Sequence, residues 1–99
     1  MFSFKEDVHI GVVSPKLPYM WGQVSLLSEE YGFDTVVTSV RDGTHMEGSK
    51  HYTGEASDFR IWWFTDKLLR DFARELQRRL GKEWDVVIES SHLHVEYDP

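Results

Sequence analysis

Cysteine is absent from the 99 residues, which excludes disulfides and every zinc site built on thiolates. Any metal held here must rely on imidazole and carboxylate, a donor set that suits zinc and its neighbours. Long hydrophobic runs are missing as well. No stretch of about 20 apolar residues occurs, so no membrane span is expected. The segment Met1-Phe2-Ser3-Phe4-Lys5-Glu6-Asp7 lacks the basic and apolar regions of a signal peptide, so cytoplasmic synthesis is expected. Positive charge is scarce, with 11 Lys and Arg against 17 Asp and Glu for a net charge of -6, which argues against a nucleic-acid partner. Repeats, low-complexity tracts and Gly/Ser linkers are also missing, and residues 1–99 are expected to form a single domain.

What the chain does contain is apolar and aromatic bulk, 40% and 14% of residues, with four tryptophans and six phenylalanines to build one core. A chain of about 100 residues buries roughly 60 to 65% of its unfolded surface, so no staple is required. The pattern predicts an α+β unit. Residues 8–13 read as a short strand or extended arm ahead of a loop set by Pro15 and Pro18. Trp21, Val24, Leu27 and Tyr31 recur at helical spacing, predicting a helix over 19–31 that stops at Gly32. The β-branched run 34–40 predicts a strand, 41–53 a polar loop, and 56–61 a second strand. Thr65 can cap a helix whose stripe is Leu68, Leu69, Phe72, Ala73, Leu76 and Leu80, ending at Gly81, with Glu75 and Arg79 paired on its polar face. Two strands follow at 84–89 and 92–97.

The last strand alternates sharply. Side chains two apart share a face, so His92, His94 and Glu96 point one way while Leu93, Val95 and Tyr97 point to the core. Two imidazoles and a carboxylate are costly to bury unless a metal or hydrogen bonds satisfy them. A second cluster lies in Ser49-Lys50-His51-Tyr52-Thr53-Gly54-Glu55-Ala56-Ser57-Asp58, where a loop histidine and a strand carboxylate can converge on one ion. His51, Asp58 and one of the C-terminal histidines would supply three ligands and leave a fourth position open, as a catalytic zinc needs.

The stretch from Ser49 to Asp58 resembles the Ser-x-His-x-x-Gly-x-Ala-x-Asp signature of the zinc D-Ala-D-Ala carboxypeptidases and L-alanoyl-D-glutamate endopeptidases, peptidoglycan peptidases that share a fold with the Hedgehog signalling domain and the lysostaphin-like group. Glu89-Ser90-Ser91-His92-Leu93-His94 resembles that family's late motif, a His-x-His or Glu-x-x-His on a strand, and Thr38-Ser39-Val40-Arg41 is similar to its upstream strand ending in arginine. The likeness spans about residues 38–97. It implies an antiparallel sheet flanked by helices and one zinc ion. His51, Asp58 and His94 are the implied ligands, although the Glu-x-x-His template would make His92 the third. Glu89 is the implied catalytic base, His92 with Arg41 the implied oxyanion stabilisers, and Arg41 with Ser49 the implied substrate-binding residues.

The expected activity is hydrolysis of an amide bond in peptidoglycan stem or cross-link peptides, as a D,D- or L,D-carboxypeptidase or an endopeptidase of the endolysin type. Action at the cell wall without a signal peptide fits a phage lysis or virion protein. The rival expectations are a non-catalytic zinc-stabilised binding module and a metal-free scaffold. Glu96 is a candidate to orient an imidazole, and His45 a candidate cleft residue. Trp62-Trp63-Phe64 reads as core and helix-entry packing, with one exposed tryptophan able to flank a substrate groove. The sequence leaves the oligomeric state open.

Overall fold

The chain, seen in a computed structural model that describes residues 1–8, 10–11, 14–40 and 54–99, runs through β1 (Phe2–Phe4), α1 (Lys16–Tyr31), β2 (Thr35–Ser39), β3 (Ala56–Arg60), α2 (Asp66–Leu80), β4 (Trp84–Ile88) and β5 (His92–Tyr97). The strands form one sheet in the order β1-β2-β3-β5-β4. Pairing is antiparallel throughout except that β1 lies parallel to β2. The sheet is therefore mixed, which corrects the wholly antiparallel expectation while keeping the α+β class.

The parallel edge strand is also the element that sequence reading missed. Phe-Ser-Phe is too short to show a period. It is held by the Lys5 N–H donating to the Val37 carbonyl at 2.7 Å and the Thr35 N–H to the Met1 carbonyl at 2.8 Å, and by Phe2 and Phe4 packing on Trp21 of α1. The described residues of the 8–13 segment form no strand. The helix expected over 19–31 begins earlier, at Lys16, because Pro15 and Pro18 sit in its first turn, where a missing N–H costs nothing. It ends at Gly32, whose φ of 78° suits a residue without Cβ and lets its N–H reach the Glu29 and Ser28 carbonyls.

Leu17, Met20, Val24 and Leu27 of α1 and Leu69, Phe72, Ala73, Leu76 and Leu80 of α2 join Val37, Phe59, Trp84, Leu93 and Val95 of the sheet in one buried cluster. Both helices thus share one face of the sheet. Leu68 departs from the expected stripe, being 36% exposed at its margin. Arg79 does more than pair with Glu75 at 2.8 Å, since it also reaches Glu30 at 2.6 Å and ties α2 to the end of α1. Gln77 fastens α2 to β4, donating to the Trp84 carbonyl at 2.7 Å and accepting from the Val86 N–H at 3.1 Å.

The Thr65 side chain accepts the Leu68 N–H at 3.2 Å, as its position predicts. Thr65→Ala should lower stability by about 1 kcal/mol, measured by denaturant unfolding followed by circular dichroism.

Candidate metal centre

The central strands β3 and β5 pair in register, with Ser57 opposite Val95, Asp58 opposite His94, Phe59 opposite Leu93 and Arg60 opposite His92. Ser57, Phe59, Leu93 and Val95 face the helices, and Ser57 is anchored there by the Trp21 indole N–H at 2.8 Å. By alternation Ala56, Asp58 and Arg60 face the other way, together with His92, His94 and Glu96. The ten-residue motif contributes two conformational requirements to this arrangement. Gly54 turns the chain into β3 at φ 72°, a region that L side chains rarely adopt. Ala56 is fully buried opposite Glu96, so a larger side chain there would overpack the sheet face on which it lies.

Asp58 stands at the middle of the cluster and is nearly buried. Its Oδ1 lies 2.9 Å from His94 Nδ1, and its Oδ2 lies 3.6 Å from His92 Nε2. His94 Nε2 is 2.7 Å from Glu96 Oε1. Sandwiched between two carboxylates, the metal-free His94 imidazole has its pKa pushed up to about 9, chiefly by the hydrogen bond to Asp58, with Glu96 adding to it and burial opposing. His92 Nδ1 is 3.0 Å from Ser91 Oγ, which leaves Nε2 turned toward Asp58.

Of the residues expected from sequence, the fold brings Asp58, His92 and His94 together. Glu89 lies one step past the end of β4, where its N–H donates to the His92 carbonyl at 2.9 Å. Because Val87 opposes His94, the same two-residue period places Glu89 across from His92 on the face that carries the cluster. Its side chain is exposed and makes no hydrogen bond or ion pair among the described residues. His51, Arg41, Ser49 and His45 lie outside the described residues. Ser39 of the upstream motif is placed opposite Asp58 by an irregularity in the β2–β3 ladder after Val37, a bulge that sequence alone does not reveal.

The donor set suits a zinc ion. A carboxylate oxygen and an imidazole nitrogen already stand beside each other in Asp58 and His94. Glu96 occupies the far nitrogen of that imidazole, the arrangement that fixes the tautomer of a ligating histidine. An ion held by Asp58 and His94 would take the place of the proton they now share. A separate group, Asp85, Glu96 and Asp98, is the one set of three described acidic or imidazole residues whose ligand atoms all lie within 4.8 Å of one another. It shares Glu96 with the histidine cluster and is largely exposed. Sequence reading passed over it because Asp85 belongs to the neighbouring strand and meets Glu96 only through pairing.

The Trp62 ring is 75% exposed, while Phe64 packs against Tyr31, Phe33 and Phe72, so the aromatic triplet divides into a packed phenylalanine and an exposed tryptophan. No helix among the described residues is long and apolar enough to cross a membrane. Searches for similar proteins found no matching family model, no matching curated protein and no matching solved structure.

Proposed function

We propose that this chain is a zinc-dependent peptidase that hydrolyses an amide bond in peptidoglycan stem or cross-link peptides, with the Hedgehog and D-Ala-D-Ala-peptidase type of fold. The observation that carries the reading is the convergence of Asp58, His92 and His94 on the sheet face away from the helices, with Glu96 behind His94. Those are the positions at which two separated motifs, one ending at Asp58 and the other beginning at Glu89, resemble that family.

His51, Asp58 and His94 would hold one zinc ion, which when bound supplies a Lewis acid that polarises the scissile carbonyl and acidifies water. Asp58 brings negative charge and His94 a neutral nitrogen once its proton has left. Glu96 keeps that ring oriented through Nε2. Glu89, across from His92, accepts the proton of the attacking water on its carboxylate and returns it to the leaving amine. His92 Nε2 and the Arg41 guanidinium donate hydrogen bonds to the oxygen on which charge develops.

Purified protein should carry one zinc per chain and release defined fragments from stem peptides, read by mass spectrometry. Peptide cleavage that survives His51→Ala would overturn this assignment. A zinc-stabilised module without turnover is the second reading, favoured by the absence of any described partner that fixes the Glu89 carboxylate. Glu89→Gln separates the two. In the peptidase it should lower turnover by roughly 100-fold or more, the scale of a lost general base, with zinc content unchanged. In the module it should change nothing.

A further inference from the structure

α2 concentrates positive charge that neither the core nor the metal-binding cluster uses. Its 15 residues hold five of the chain's 11 Lys and Arg against three acids, in a protein of net charge -6. Lys67, Arg70, Arg74 and Arg78 recur at spacings of three and four, so they fall within about a quarter turn of one another along about 16 Å of helix. All four are exposed, and they lie opposite the stripe of Leu69, Phe72, Ala73, Leu76 and Leu80 that meets the core.

Helix stability does not account for this row. Like charges three or four apart weaken a helix, and the row sets three such pairs in succession. Lys67 also stands in the first turn, where the helix dipole disfavours a cation. Asp71 offsets Lys67 at 2.8 Å, and Glu75 offsets Arg78 at 2.6 Å. Arg74 lies 3.7 Å from Asp71, beyond hydrogen-bond reach, and Arg70 has no hydrogen bond or ion pair among the described residues. Two cations one turn apart are thus held outward with little to neutralise them.

The flanks of the row narrow the choice of ligand. Asp71 and Glu75 border it on one side and Asp66 on the other, so a flat anionic surface such as a membrane would press on acids as well as bases. The apolar residues that an interfacial helix would insert are buried in the core. No aromatic ring lies on the row to stack a base, as proteins that hold single-stranded nucleic acid provide. A single flexible chain of evenly spaced anions fits.

We infer that the outer face of α2 is a docking strip for a linear polyol-phosphate polymer of the poly(glycerol phosphate) type, gripped by Arg70 and Arg74 at its centre and by Lys67 and Arg78 at its ends. Guanidinium forks suit such a chain because two parallel N–H groups meet two phosphate oxygens. The strip faces away from the sheet, while Asp58, His92 and His94 lie on the sheet face remote from the helices, so a bound polymer leaves that cluster uncovered. Recognition depends on charge and does not require the peptidase reading.

The test is fluorescence anisotropy of labelled poly(glycerol phosphate) with the full chain at low salt. Binding should weaken about tenfold in the double variant Arg70→Gln with Arg74→Gln, which loses two charged contacts. Affinity should fall with salt at a logarithmic slope of about 0.7 per phosphate engaged, and the double variant should lower that slope by about 1.4. Arg70→Lys with Arg74→Lys should keep most of the binding, and Lys5→Gln with Lys82→Gln should leave it unchanged, with circular dichroism checking that each variant keeps the fold. Absence of binding, binding that survives the double glutamine variant, or an equal loss on replacing Lys5 and Lys82 would overturn the strip. Tighter binding of anionic vesicles, or of single-stranded DNA of equal charge, would overturn it as well. Peptide cleavage plays no part in the readout, so the strip and the peptidase reading fail separately.

Discussion

Asp58→Asn should cost the protein its zinc and its peptide hydrolysis together. Asparagine keeps the shape of the side chain but withdraws the negative charge, and Asp58 is the carboxylate that both described histidines approach, at 2.9 Å and 3.6 Å. Zinc affinity should fall by more than the roughly 10- to 100-fold that loss of an outer hydrogen-bond partner brings. Glu96→Gln provides that milder comparison, because Glu96 touches only the far nitrogen of His94. Competition against a chromophoric chelator measures both. A variant at position 58 that binds zinc as the parent does would remove Asp58 from the ligand set.

The same substitution has a signature in protein stripped of metal. There the His94 imidazole is held charged up to a pKa of about 9, above its ordinary 6.5, with the hydrogen bond to Asp58 as the largest cause. A group whose folded pKa is raised stabilises the fold in its protonated form. This contribution is complete below pH about 6.5 and is lost as pH rises through about 9. Metal-free parent protein should therefore lose stability across that window, and Asp58→Asn should narrow the window by drawing the folded pKa down. Chemical denaturation from pH 5 to 10 with the metal chelated, beside an NMR titration of His94, reads both effects.

Phe72→Ala should produce the largest loss of stability. Phe72 is 1% exposed at the centre of α2, with Tyr31 at 5.3 Å and Phe64 at 5.0 Å between ring centroids. Removing it deletes edge contacts to both rings and leaves a void beneath the sheet. Substitutions of this type cost about 3 to 5 kcal/mol, a large share of the roughly 5 to 15 kcal/mol that a small domain has in total. A melting temperature lowered by about 12 to 30 °C follows from the size of the domain. Calorimetry of the metal-free protein measures it, and a drop of less than about 5 °C would show that the helical layer repacks.

Much of the chain could be read locally. α2 was legible because a capping threonine, an acidic first turn and an apolar stripe agree with one another, and β5 because six residues alternate cleanly. The start of α1 was displaced because its first turn is built from two prolines and a lysine, which carry no hydrophobic period. β1 was invisible because three residues acquire an extended conformation only by pairing with β2, more than thirty residues away. Glu30 gave no sign that it reaches Arg79, since that ion pair joins two helices and not two turns of one. In the candidate site, Asp58, His92, His94 and Glu96 were all legible by type and spacing. Arg60 was not, because nothing in its spacing shows that its guanidinium stacks on the Trp62 ring.

By itself the sequence determined the types of α1, α2 and β2 to β5, the cysteine-free donor chemistry and the alternation that sets His92, His94 and Glu96 on one side of their strand. Only the tertiary structure decided that Asp58 stands opposite His94, that Ser39 is shifted opposite Asp58, and that Arg60 meets His92 and Trp62. The reason is that local preference depends on neighbours in the chain, whereas strand register depends on how a distant apolar face fits the core. A slip of one residue in that register would turn Asp58 into the helices and disperse the cluster.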